Sequence, residues 1–210
     1  MTNPVSPGTE RLLLRLMDLG ERAVMILLFA GLVIRFSHGL QLHPYNALAV
    51  VSEGFVVLFI VLRREAATVT TRPKDWAVAM LGTMLPLMVQ PGGDLILPAA
   101  AGTALMFAGL SISVWAKLTL RRSFGVAAAN RGVVDGGPYR FVRHPMYAGY
   151  LLVHIGFLLN NPLPWNAALY AVTLGCQIAR ILAEEKVLAQ DAAYACVLQR
   201  VRYRLIPCLF

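Results

Sequence analysis

The chain has 210 residues, 58% of them hydrophobic and only 14% charged, with a formal net charge of +8 and a mean hydropathy of +0.63. A soluble domain carries about a quarter charged residues, so this deficit, set among long apolar runs, excludes an ordinary soluble domain and points to a polytopic membrane protein. The three cysteines are widely spaced and form no metal-ligand pattern, and there is no phosphate-binding glycine loop or dinucleotide fingerprint.

In chain order, the opening MTNPVSPGTERLLLRLMDLGER alternates acidic and basic residues and lacks the small-residue cleavage site of a secretory signal. It reads as a cytoplasmic tail, residues 1–22, with a short amphipathic helix along 12–19. Six apolar segments follow at 23–39, 47–62, 76–90, 95–120, 145–159 and 163–182. Several fall short of the roughly 20 residues an upright helix needs, a gap that snorkelling side chains and local thinning cover. The short connections QPGGD and NNPLP imply tight antiparallel hairpins of segment three with four and of five with six. The expected fold is all-α, a polytopic membrane helical bundle of about six transmembrane helices with a cytoplasmic loop and a carboxy-terminal helix.

Charge orients the bundle. All nineteen Lys and Arg residues except Arg35 fall in the amino-terminal tail, the second connection, the fourth connection or the carboxy-terminal tail. By the positive-inside rule both termini are cytoplasmic, in the inner membrane if the source is bacterial. A basic face against anionic membrane lipid accounts for the net charge without nucleic acid.

The polar chemistry gathers on that side. If the fifth helix begins near His144–Pro145, then His144, Tyr147, Leu151 and His154 share one face, and Pro145 sits in the first turn, where its missing N–H costs nothing. On the sixth segment Thr173, Gln177, Arg180 and Glu184 repeat the pattern, with Glu185 beside them. Ionisable groups near bilayer depth are expensive unless they face a cavity or each other, so the two stripes suggest a pocket. Blander readings stand beside this one. Arg140 and Arg143 could be interfacial anchors, His154 a helix–helix hydrogen-bonding residue, and Glu184 and Glu185 the solvated start of a tail helix. Glu53, in an apolar run, is protonated or paired inside the bundle. Gly149 permits close approach of a neighbouring helix or a ligand.

The stretch GPYRFVRHPMYAG, with Gly137, Pro138, Tyr139, Arg143, His144, Pro145, Tyr147 and Gly149, followed by Glu184 and Glu185, resembles the signature of the isoprenylcysteine carboxyl methyltransferase family and its phospholipid methyltransferase relatives. LRRSFG at 120–125 resembles an upstream element of that family, with Arg121 in place of glycine. Tyr194, Val201, Arg204 and Pro207 resemble its closing pattern, with Val197 at a tyrosine position and one extra residue before Arg204. The resemblance covers roughly residues 115–207, making 115–210 a methyltransferase-like region after a less specific 23–114.

It implies an integral membrane enzyme that uses S-adenosylmethionine and takes a lipophilic or small-molecule methyl acceptor from the bilayer, without a metal. The residues it implies for the cofactor are Tyr139, Arg143, His144, Pro145, Tyr147, Gly149, Glu184 and Glu185; those for catalysis are Arg180, Glu184 and Arg204. Sterol reductases resemble the same carboxy-terminal half yet use NADPH, and a non-catalytic transporter on this scaffold is the third alternative. The acceptor's reacting group, carboxylate, amine or thiol, stays open.

Overall fold

The computed structural model describes residues 7–62, 73–120, 135–189, 192–207 and 210. Among them the regular structure is helical: α1 (Pro7–Ser37), α2 (Ala47–Leu62), α3 (Pro73–Met84), α4 (Ala99–Leu120), α5 (Pro145–Asn160), α6 (Pro164–Leu188) and α7 (Ala192–Arg200), with short 3-10 turns at Pro44–Asn46, Leu85–Met88 and Gly137–Arg140. Three helical stretches, Pro44–Leu62, Ala99–Leu120 and Pro164–Lys186, are long and apolar enough to cross a membrane, and Ala77–Met88 is a shorter apolar helix. Large apolar side chains such as Leu27, Ile34, Phe107, Trp115 and Val172 turn outward. That is the surface a lipid-embedded bundle presents, because hydrocarbon does not penalise exposed apolar groups.

The segments expected from the sequence appear close to their boundaries, with one difference at the start. The amphipathic helix expected along 12–19 is part of a single helix running from Pro7 to Ser37. Gly20 is an isolated glycine, which a helix tolerates, and an ion pair one turn apart, Arg22 Nη2 to Asp18 Oδ2 at 2.8 Å, spans it.

Helix pairing departs from the hairpin expectation. The expected pairing of segments three and four is replaced: α4 packs most closely on α5 and α3 on α6, while α5 and α6 face each other through longer side chains, from His144 and Glu185 at one end to the His154–Tyr170 stack further along. Glycine decides this. A Cβ on Gly149 would lie 2.6 Å from the Gly109 carbonyl oxygen and 2.7 Å from the Ser113 amide, and one on Gly109 would lie 2.5 Å from the Gly149 carbonyl oxygen. Gly102 and Gly156 repeat the reciprocal contact further along the same two helices. Where side chains vanish on both faces, backbones approach to van der Waals contact, and dispersion replaces the hydrophobic effect that lipid does not supply. Short loops set only which helices are neighbours in sequence; matching glycine faces set which ones touch.

Arg35, the exception to the charge asymmetry, ends α1 by donating from Nη2 to the Leu87 carbonyl and from Nε to the Val89 carbonyl at 3.3 Å. It holds the 3-10 turn after α3, where carbonyls lack helical partners. Lys117, counted with the fourth connection, lies inside α4 and is 1% exposed.

Candidate active site

The site is assembled where α5 begins and α6 nears its end. Gly137 opens the GPYR turn at φ +55°, a left-handed conformation suited to glycine, and a Cβ there would meet Thr119 Oγ1 at 2.8 Å. The turn buries Tyr139 in a cluster with Ala116, Met146, Tyr147 and Ile181. Burial raises the Tyr139 hydroxyl above its ordinary range, with the Glu184 carboxylate adding to the effect.

His144 is the N-cap of α5 by backbone position but makes no side-chain cap, so its imidazole is available to the site. Its Nε2 lies 3.3 Å from Glu185 Oε1 and its Nδ1 3.8 Å from Glu184 Oε2. Arg143 Nη1 meets Glu185 Oε1 at 2.9 Å, and Arg204 Nε meets Glu185 Oε2 at 2.8 Å. Glu185 is therefore the hub of three basic side chains. Glu184 faces the other way: the Tyr147 hydroxyl donates to its Oε1 at 2.7 Å. The Arg180 guanidinium lies over the Tyr147 ring, 5.4 Å from its centroid, and Nη1 donates to Thr83 Oγ1 at 3.4 Å.

The segment after α7 completes the wall. The Arg143 amide donates to the Tyr203 carbonyl at 2.9 Å and the His144 amide to the Arg204 carbonyl at 2.8 Å, while Arg143 Nη2 reaches the Arg202 carbonyl at 2.9 Å. Tyr194, Val197 and Val201 pack together to carry this segment back. Burial raises the Tyr194 hydroxyl's pKa.

Of the residues named from the sequence, Arg143, His144, Tyr147, Glu184, Glu185 and Arg204 are brought together by direct contacts. Arg180 joins them through Tyr147, and Tyr139 packs beneath. Pro145 is buried in the first turn of α5. Gly149 faces α4, where the reading as a helix contact, and not as a ligand contact, fits the geometry. His154 lies deeper in α5; its ring stacks on Tyr170 at 4.2 Å, with Glu53 Oε1 4.0 Å from its Nε2. LRRSFG, apart from Leu120, lies outside the described residues. Sequence reasoning missed the backbone pairing of 202–204 with 143–144, because no periodicity signals a contact between irregular segments so far apart.

A helical membrane bundle with an ionic cluster at one end, built from the start of one helix and the close of another, defines the class. Within it, residues 97–193 match the family described as phospholipid methyltransferase. That range contains α4, α5 and α6 and most site residues named above; Glu53, Thr83, Tyr194 and the segment around Arg204 lie outside it. No curated protein matches the chain. The match supports a membrane methyltransferase with a lipid-like substrate.

The donor set also suits the cofactor such chemistry implies. S-adenosylmethionine carries a carboxylate, an amine and ribose hydroxyls, which call for cations and for carboxylates respectively, and the cluster holds both kinds. Arg143 and the Tyr194 hydroxyl are buried beside each other at the edge of the cluster. Among the described residues no group of His, Cys, Asp or Glu could hold a metal ion.

Proposed function

We propose that this protein is an S-adenosylmethionine-dependent methyltransferase of the isoprenylcysteine carboxyl methyltransferase type, acting on a small or lipid-like acceptor held in the membrane. The observation that carries the reading is the convergence of Arg143, His144, Tyr147, Glu184, Glu185 and Arg204 at one end of the bundle, inside a family-matched region. On the charge distribution, that end faces the cytoplasm with both termini, from which a water-soluble cofactor enters.

His144 with Arg143 or Arg204 binds the cofactor carboxylate through charge-assisted hydrogen bonds. Glu184 and Glu185 accept from its amine or hydroxyls. Glu185 also orients Arg143, His144 and Arg204, since it contacts all three. Bound there, S-adenosylmethionine supplies a methyl group activated on a sulfonium. The protein's share is alignment and exclusion of water: the Arg180–Tyr147 stack and the α4–α5 contact fix the groups facing the donor, and tight positioning is what an in-line displacement chiefly needs. Arg180 stands nearest the apolar interior, placed to orient an acceptor arriving from the bilayer.

Calorimetric titration of the detergent-purified full chain with S-adenosylmethionine and with its demethylated product tests the reading. Saturable binding is expected, with labelled methyl appearing in a total membrane lipid extract. Folded protein that binds neither compound, in several lipid conditions, would overturn it.

A further inference from the structure

Arg204 carries a long, flexible side chain on an irregular segment, and that side chain is 32% exposed, yet its Nε holds Glu185 Oε2 at 2.8 Å. An ion pair with that much solvent access contributes little unless its members are already ordered, because fixing the side chains offsets the attraction. The fold supplies the order by anchoring every part of the residue. The Arg204 carbonyl accepts from the His144 amide at 2.8 Å, which ties it to the start of α5. Its amide donates to the main-chain oxygen of Phe210 at 2.9 Å, and the Leu205 and Ile206 amides donate to the same oxygen at 2.8 and 3.1 Å. Its guanidinium lies over the Phe210 ring, 5.1 Å from the centroid.

Successive amides converging on one oxygen form a backbone nest, a concavity with partial positive charge that suits an electron-rich group. Here the chain itself provides the occupant. The nest curls residues 204–206 around Phe210, with the ring under the guanidinium. Apolar contacts seat that ring, since Phe210 packs against the cluster that contains Tyr139, Tyr147 and Leu205. Phe210 lies outside the family-matched residues 97–193, and its side chain bears neither charge nor donor, so neither the match nor the polar stripes mark it.

We propose that Phe210 is a positioning residue of the cofactor site: it fixes Arg204 in the orientation that, with Arg143 and His144, receives the carboxylate end of the methyl donor. The inference rests on the methyltransferase reading and deepens it. Phe210 touches no reacting atom. It orders Arg204 before the ligand arrives, so the rotamer freedom of a long side chain is lost on folding and not on binding. An aliphatic side chain of similar bulk is not enough here, because only an aromatic face attracts the cation.

The full chain and its variants in lipid nanodiscs are titrated with S-adenosylmethionine by calorimetry, below the melting temperature of each. Phe210→Leu keeps the apolar bulk and removes the ring face; it should bind about 5- to 10-fold more weakly, the loss expected of one partly desolvated cation–π contact. Phe210→Ala should lose at least as much. Phe210→Tyr keeps the face and should stay within about twofold of the unmodified chain. A role in packing alone predicts that leucine satisfies the position. If Phe210→Ala fails to fold, the leucine and tyrosine variants decide between the two. Unmodified affinity in Phe210→Leu overturns the inference, as does a loss in Phe210→Tyr equal to that in Phe210→Leu. When the unmodified chain binds the donor and either of those results appears, the positioning role fails while the methyltransferase reading stands. If the unmodified chain binds no donor, the reading itself fails.

Discussion

The two ends of the bundle are closed by different chemistry. At the end bearing the α5–α6 turn, neutral amides do the work: Asn166 exchanges hydrogen bonds with the Gln90 backbone at 2.9 and 2.8 Å and donates to the Asn161 carbonyl at 3.0 Å, while Asn161 donates to Asn46 Oδ1 at 2.8 Å and accepts from the Gly92 amide at 3.0 Å. At the opposite end, Glu185 gathers Arg143, His144 and Arg204. The amide network satisfies Asn161 and Asn166 and leaves them nothing to offer a ligand. The ionic cluster holds opposite charges that a zwitterionic ligand can re-pair. One end is built to stay shut, the other to exchange partners.

The largest effect expected from breaking this contrast is at Glu185. Glu185→Ala leaves Arg143, His144 and Arg204 facing one another, and losing one partner of a buried pair costs about 3–5 kcal/mol. Discounted for partial solvent access, S-adenosylmethionine affinity should fall about 100-fold or more in calorimetry. The 202–207 segment, released from its anchor, should become more sensitive to limited proteolysis. Undiminished binding would separate the cluster from the cofactor.

Asn166→Ala is the matching experiment at the far end. It removes three hydrogen bonds and leaves the Gln90 backbone unpaired, so thermal unfolding in detergent should show a loss of about 2–4 kcal/mol. Cofactor affinity in the folded fraction should stay within about twofold, a change under roughly 0.5 kcal/mol. A loss of affinity as large as that of Glu185→Ala would show that the ends are not independent.

The smallest effect is a pH dependence. Burial raises the Tyr194 hydroxyl, so its folded-state pKa lies above the unfolded value of about 10. Between those values the folded state holds a proton that the unfolded state has released. The stabilisation is therefore complete below about pH 10 and is lost as pH rises further, through the folded pKa. The melting temperature should decline in that alkaline window, and Tyr194→Phe should flatten the decline. An unchanged slope in the variant would assign the alkaline loss elsewhere.

Much of the architecture was legible because it is local. Apolar runs broken by Pro, Gly and Asn mark the helices α2, α4, α5 and α6 nearly to their ends, and spacings of three and four put Tyr147 and Glu184 on facing stripes. The resemblance of GPYRFVRHPMYAG to a methyltransferase signature picked out the residues that the fold then joined. What the sequence did not reveal is pairing. Glycines 102, 109, 149 and 156 are legible as small residues, but only their reciprocal contacts reveal that α4 and α5 meet backbone to backbone. Charge counting likewise set Lys117 with the fourth connection, while the fold buries it inside α4.

The sequence by itself determined that this is a membrane helical bundle whose ionic residues gather near the start of α5 and the close of α6, because hydropathy and helical period are properties of short windows. Only the tertiary structure decided that Glu185 is shared by three cations, that the 202–204 backbone walls the site, and that Glu53 from a distant helix lines one cavity with Tyr147. Those facts depend on which helix faces touch, and in a lipid surround that is settled by shape, glycine against glycine, more than by the order of polar and apolar residues along the chain.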